Sequence, residues 1–266
     1  MADSVVKRYA AGRARALGLP TRGTTNPNRL RRVDRHLVAL HGGLLRSLTA
    51  PLVVDLGYGG TPVTAVELHH RLSGACPSVE VVGIEIDQAR VDAAAGAARP
   101  GLRFVRGGFE LAGLRPHVVR CLNVLRQYPP EDAAAAWSTM RERLHRDGVV
   151  LEGTCDEVGR RAAWVTLTAA GPQSLTLAAH LASLDRPSSL AERLPKALIH
   201  RNVPGQPVHA LLQELDAAWD RAAAYATFGP RQRWVATCES LPWEQSGPRR
   251  WRDGELTVPW SSVAPA

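Results

Sequence analysis

Two carboxylates and two glycines are the residues here whose types and spacing suit chemistry. Val53-Val54-Asp55-Leu56-Gly57-Tyr58-Gly59 is an apolar run that ends in an acid and then in glycines one residue apart. Further along, Val81-Val82-Gly83-Ile84-Glu85 is a second apolar run that ends in an acid. Buried parallel strands read as such runs, and glycines at a strand end let backbone approach a ligand where a helix begins. An acid at the tip of the next strand is placed to accept both ribose hydroxyls. The pair points to a cofactor that contains a nucleoside.

The choice of cofactor follows from what surrounds the glycines. A dinucleotide fold calls for a third glycine and a free helix N-terminus for the pyrophosphate. Here Gly60-Thr61-Pro62 follows Gly59, and Asp55 would set a negative charge against a diphosphate. An acid beside the loop suits an ammonium-bearing, phosphate-free cofactor, which describes S-adenosylmethionine. Asp55-Leu56-Gly57-Tyr58-Gly59 together with Glu85 resembles motifs I and II of the class I S-adenosylmethionine-dependent methyltransferases, over roughly residues 50–180. The resemblance implies a methyl transfer activity. It implies that Asp55, Leu56, Gly57, Tyr58 and Gly59 lie against the methionyl part, with Glu85 and Ile86 at the ribose. The family often has an acid after strand three for the adenine. This chain has Arg106-Gly107-Gly108-Phe109-Glu110, so either Phe109 packs the base or a backbone N–H binds it. Pro62 is compatible with a first helical turn, where its missing N–H would be unpaired anyway.

Ligands of open parallel sheets bind beyond the carboxyl ends of the strands. The segment after strand four, Asn123-Val124-Leu125-Arg126-Gln127-Tyr128, therefore belongs over the active site. Asn123 is suited to accept a hydrogen bond from a nucleophilic amine, or to touch the cofactor, or simply to cap the turn. Arg126 suits an acidic substrate group, held bidentately, and Tyr128 suits stacking or proton transfer. After strand five, Asp156 and Glu157 read as turn-capping acids, with a base as the other role. His36, His41, His69 and His70 lack metal-ligand spacing and read as surface or capping residues, and no metal is expected.

These residues need a frame. Helices are expected over residues 4–18 and Arg29–Ser47, the latter packing Leu30, Val33, Leu37 and Leu40. Strands and helices then alternate: 52–56, a helix over 63–72, 79–85, a helix over 88–98, 102–106, 117–122, a helix over 131–144, and 148–152. Arg161–Thr168 and Ser174–His180 flank Ala169-Ala170-Gly171-Pro172 as a hairpin. The expected fold is α/β, a seven-stranded mostly parallel sheet with helices on both faces that ends in an antiparallel hairpin. N-terminal helices and a C-terminal helical and hairpin extension flank it. The expected divisions are a basic segment 1–50, a cofactor-binding core 51–182 and an extension 183–266. In the extension, Val208–Tyr225 has helical apolar spacing, and Arg250–Val258 reads as a second hairpin turned at Asp253-Gly254.

Bulk composition narrows the partners. The chain has 33 basic and 25 acidic residues; residues 1–50 hold ten and two of these, leaving twenty-three of each sign beyond. The excess of +8 is thus local. Arg29, Arg31, Arg32 and Arg35 suit phosphates or another acidic partner, with a solvated helix face as the alternative. The acceptor is expected to be a small molecule ahead of RNA, with the tryptophan-rich tail suited to enclose it in the first case. Cys76, Cys121, Cys155 and Cys238 show no disulfide or zinc spacing. No signal core or membrane-length run is evident, so a soluble, cytoplasmic protein is expected. Two other readings stand beside the enzyme: the same fold binding cofactor without activity, and a nucleotide-binding oxidoreductase, which Asp55 disfavours.

Overall fold

The structure, a computed structural model, describes residues 25–243 and 247–265. The helix expected over residues 4–18 lies outside them. The strands are β1 (Leu52–Leu56), β2 (Glu80–Glu85), β3 (Leu102–Arg106), β4 (Val118–Leu122), β5 (Val149–Cys155), β6 (Arg161–Thr168), β7 (Gly171–Ala179) and β8 (Glu255–Pro259). They form one sheet in the order β3-β2-β1-β4-β5-β6-β7-β8. The first five are parallel, and β6, β7 and β8 follow as an antiparallel meander. The strand order reverses between β1 and β4, the switch point where such sheets bind ligands.

Helices α1 (Arg31–Ser47), α2 (Val63–Ala75) and α3 (Gln88–Ala94) precede β3, and α4 (Asp132–Glu142) precedes β5. After β7 come α5 (Lys196–Ile199), α6 (Pro207–Arg221), α7 (Pro230–Glu239) and α8 (Pro248–Trp251). Alternation along each strand sends side chains into two cores. Val53 and Val81 meet Val33, Leu37, Leu68 and Leu72 of α1 and α2 on one face. Val54 and Val82 share the other core with Trp137 and Met140 of α4 and with Leu211, Leu215 and Trp234 of α6 and α7. Both faces are covered, as a parallel sheet requires.

The differences from the sequence expectation have physical causes. Leu40 is half exposed, because the buried stripe of α1 is Val33, Asp34, His36, Leu37 and Leu45. The segment before Asp253-Gly254 is a helical turn, so there is no second hairpin. Instead β8 pairs with β7 as an eighth strand. Gly254 has φ 81, and a Cβ on it would lie 2.2 Å from the Ala179 carbonyl oxygen, so the turn delivers the chain directly onto the sheet edge. His36 is a buried residue, not a surface one. Its Nδ1 lies 2.7 Å from Oε2 of Glu255, which also accepts from Nε of Arg250 at 3.0 Å. No helix among the described residues is long and apolar enough to cross a membrane.

Glu152 is fully buried in β5. One oxygen accepts from the Trp137 indole at 3.0 Å, and the other has no partner. Burial pushes its carboxyl up to about 8 from 4.5, against the smaller opposing effect of the indole. The folded chain keeps this proton where the unfolded chain has lost it, so stability falls as pH rises from 4.5 through about 8. Thermal melts should show Glu152→Gln gaining on the wild type at alkaline pH, with the gain disappearing in acid. A gain independent of pH would contradict this assignment.

Candidate functional site

A cleft opens at the switch point, enclosing about 840 Å³ of space that is partly open to solvent. Its walls bring together Asp55, Leu56, Gly57, Tyr58, Gly59, Glu85, Ile86, Phe109, Asn123 and Tyr128. Of the residues singled out in the sequence, Arg126 is not among the lining residues. A short 3-10 turn over Leu125–Gln127 directs Leu125 into the core and Arg126 outward, where its Nη1 donates to the Glu192 carbonyl at 2.8 Å.

The glycine turn is built by backbone and packing. Gly57 (φ 71) and Gly59 (φ 87) occupy the left-handed region that only glycine enters cheaply. The Gly57 N–H donates to the Ile84 carbonyl at 2.7 Å, tying the turn to the tip of β2. A Cβ at Gly57 would lie 2.4 Å from Val124 Cγ2, and one at Gly59 would lie 2.6 Å from Thr25 Oγ1. Glu85 fixes the same turn from the side. Its oxygens accept from the N–H of Gly59 at 3.1 Å and of Ile86 at 2.9 Å, and Arg90 stands 3.7 Å away. Burial still leaves the Glu85 carboxyl above its usual range.

Asp55 is held from beneath. Arg120 in β4, fully buried, donates through Nε to Asp55 Oδ1 at 2.9 Å and through Nη2 to Oδ2 at 2.7 Å. Its Nη1 is paired with Asp34 of α1, and its Nη2 also donates to the Thr64 carbonyl at 2.9 Å. Burial opposes the guanidinium charge, but Asp34 and Asp55 together raise its pKa. The Thr64 hydroxyl completes the set, donating to Asp55 Oδ2 at 3.1 Å. Asp55 therefore anchors the loop with both oxygens occupied.

Asn123 is likewise engaged. Its Oδ1 accepts from the Cys155 N–H at 3.0 Å and its Nδ2 lies 3.1 Å from Cys155 Sγ, so the amide spans the tips of β4 and β5. That bond fits the turn-capping role, and the second lone pair of Oδ1 keeps the acceptor role toward an amine open. Its φ of 64 is an uncommon conformation for a side-chain-bearing residue, of the kind found at functional sites. The Phe109 and Tyr128 rings pack at 5.2 Å between centroids. The Gly108 N–H donates to Glu110 Oε1 at 2.8 Å, so that N–H is engaged within the chain.

Sequence reasoning missed several wall residues: Thr25, Leu30, Thr64 and Arg90. Thr64 stands in the first turn of α2 and Arg90 in the first turn of α3, each in the helix that follows a strand-tip acid. Arg120 was missed although a lone arginine inside an apolar strand rarely stays unpaired when buried. The basic cluster resolves differently from a phosphate clamp. Arg29 lines the cleft and donates from Nε to the Asp156 carbonyl at 3.0 Å. Arg32 donates to the carbonyls of Gly159 and Asp253, and Arg35 meets the Asp253 carboxylate at 3.4 Å. Arg32 and Arg35 thus hold α1 to neighbouring loops, and Arg29 holds the residues just before it. Asp156 caps its loop, accepting from the N–H groups of Val158, Arg160 and Arg161. The C-terminal tryptophans do not enclose the cleft: Trp234 and Trp251 are buried, and Trp243 and Trp260 pack against the same core.

The fold is Rossmann-like. No family model matches the sequence, and no curated protein sequence matches it. Solved structures do. The chain is similar to magnesium protoporphyrin IX methyltransferase from Synechocystis PCC 6803, with SAH or SAM bound, at 25% identity and a TM-score of 0.37. The match covers 47% of this chain and 53% or 56% of those chains, so it spans about half their length. It is also similar to a cyclopropane synthase from Mycobacterium tuberculosis, at 17% identity, TM-score 0.34, over 49% of this chain and 48% of that one. Human N-acetylserotonin methyltransferase with SAM gives 17%, TM-score 0.33, and 47% and 36% coverage.

Breaking a buried ion pair by removing one partner costs about 3–5 kcal/mol. Arg120→Met, which strands Asp34 and Asp55, should lower urea-unfolding stability by about that much. A loss below about 1 kcal/mol would show that the pair does not organise the site.

Proposed function

We propose that this chain is a class I S-adenosylmethionine-dependent methyltransferase that binds its cofactor in the cleft at the β1/β4 switch point. The observation that carries the reading is the joint between the two motifs: the Gly59 N–H donates to Glu85, so the glycine turn and the second-strand acid form one wall. The charges of the cleft support a phosphate-free zwitterion. Asp55 and Glu85 line it as acids, and Arg29 and Arg90 as bases. A diphosphate would face two carboxylates there.

In this reading Glu85 accepts from the ribose hydroxyls, Phe109 packs the adenine, and Leu56, Tyr58 and Ile86 supply the apolar surround. Arg29 offers a cation for the carboxylate of the amino-acid end. Bound there, S-adenosylmethionine supplies an electrophilic methyl group on sulfur. The protein's share is alignment, worth up to about 7–11 kcal/mol, and exclusion of water. Tyr128 faces the acceptor side. Burial raises its pKa, so its hydroxyl keeps its proton and serves as a hydrogen-bond donor rather than a base. Asn123 positions the β4 tip beneath it. A small-molecule acceptor fits this cleft better than RNA, because Arg32 and Arg35 are already engaged within the chain.

Titration calorimetry with S-adenosylhomocysteine tests the cofactor assignment. The wild type should bind it, nicotinamide dinucleotide should not bind, and Glu85→Ala should weaken the affinity by about tenfold or more, the loss of roughly 1.4 kcal/mol. Normal affinity in the variant would remove Glu85 from the site. A labelled-methyl assay on cell extract then reports transfer itself.

A further inference from the structure

A second concavity lies outside the cofactor cleft, between α4 and the short helix α5. It encloses about 820 Å³ of space that is partly open to solvent, and no residue lines both sites. Its floor is flat and apolar. Ala133 and Ala134 stand one turn before Trp137 on α4, and Ala197 of α5 completes the surface. The alanines leave room that larger side chains would fill. Trp137 is fixed in place, because its indole N–H donates to Glu152 at 3.0 Å and the Trp260 ring meets it edge-on at 5.7 Å between centroids.

The rim is basic. Leu194 and Leu198 are buried four residues apart and seat α5 on the core. Lys196 and His200, also four apart, are left to line the groove, with Arg201 beside them. No ion pair or side-chain hydrogen bond among the described residues engages Lys196, His200 or Arg201. Glu131, at the α4 end, is the one carboxylate in the lining, and it makes no ion pair with them. Like charges on one helix face oppose each other unless an anion stands between them. The residue type is distinctive too: of 33 Lys and Arg residues only Lys7 and Lys196 are lysines. A lysine is a compact charge on a flexible stem, suited to reach a bound anion.

We propose that the groove between α4 and α5 is a second ligand site, which takes a small planar aromatic anion. The ring lies on Trp137 and the alanines, and Lys196 and Arg201, with His200 between them in sequence, hold the charge. Apolar walls with a few convergent polar groups are the usual make-up of such a site. The inference is independent of the cofactor reading, since it concerns residues that take no part in the cleft.

Titration calorimetry of the full chain with 1-naphthoate, with and without S-adenosylhomocysteine, tests this. Naphthoate should bind saturably, with the same affinity in both conditions. Lys196→Met combined with Arg201→Gln should weaken it by about tenfold, the loss of one charge-assisted hydrogen bond. Neutral 1-naphthamide should bind the wild type more weakly than naphthoate by about the same tenfold factor. Ala134 is exposed, so Ala134→Phe should fill the groove and abolish binding with the melting temperature nearly unchanged. The site is overturned if naphthoate does not bind, if the variants bind it as the wild type does, or if the amide binds equally well. Displacement by S-adenosylhomocysteine would put naphthoate in the cleft and overturn it too. Failure of S-adenosylhomocysteine to bind removes the cofactor reading alone, because the variants and the amide still decide the groove.

Discussion

The position of the site depends on one buried guanidinium. Arg120 lies in the middle of the sheet with no solvent contact, and it joins β4, β1, α1 and the first turn of α2 through Asp55, Asp34 and the Thr64 carbonyl. Desolvating a guanidinium costs several kcal/mol, and it is tolerated because two carboxylates and a carbonyl meet its donors. The geometry of a planar fork leaves little freedom in where those partners stand. Asp55 is fixed at the end of β1, so the chain turns at Gly57. The turn in turn sets the Gly59 N–H against Glu85.

α1 carries this constraint to the far edge of the sheet. Asp34 and His36 are two residues apart and so face opposite flanks of the helix. Asp34 takes Arg120 and Arg71 on one flank, and His36 takes Glu255 at the start of β8 on the other. Arg250 closes that second network, pairing with Glu255 from the helical turn before the strand. The last strand of the chain and the glycine turn are therefore linked through the same helix. Each buried charge on this path has an opposite partner, which is the condition under which such groups are stable.

Much of this was legible in the sequence where local pattern decides structure. The bounds of β1, β3 and β6 follow from apolar runs, and the glycine turn from residues that only a left-handed backbone needs. What escaped was set by distant partners. Arg120 and Glu152 each stand alone in an apolar strand, and nothing local says whether such a charge is buried or at an edge. Arg126 and Tyr128 look equivalent in a polar loop, yet a short 3-10 turn sends one outward and the other into the cleft. Asp253-Gly254 signalled a turn correctly, but its partner strand was β7, far away in sequence, and the tryptophans around it filled a core that composition could not locate. Arg29 and Arg32 read as part of a patch because their acceptors are backbone carbonyls, which leave no trace in a charge count.

The polar groups of the cleft share a further property. Asp55, Glu85 and Asn123 are hydrogen-bonded to the protein itself, so their orientations do not depend on a ligand. A site built this way spends no reorganisation energy on aligning a reactant, which is where enzymes gain most from fixed dipoles and charges.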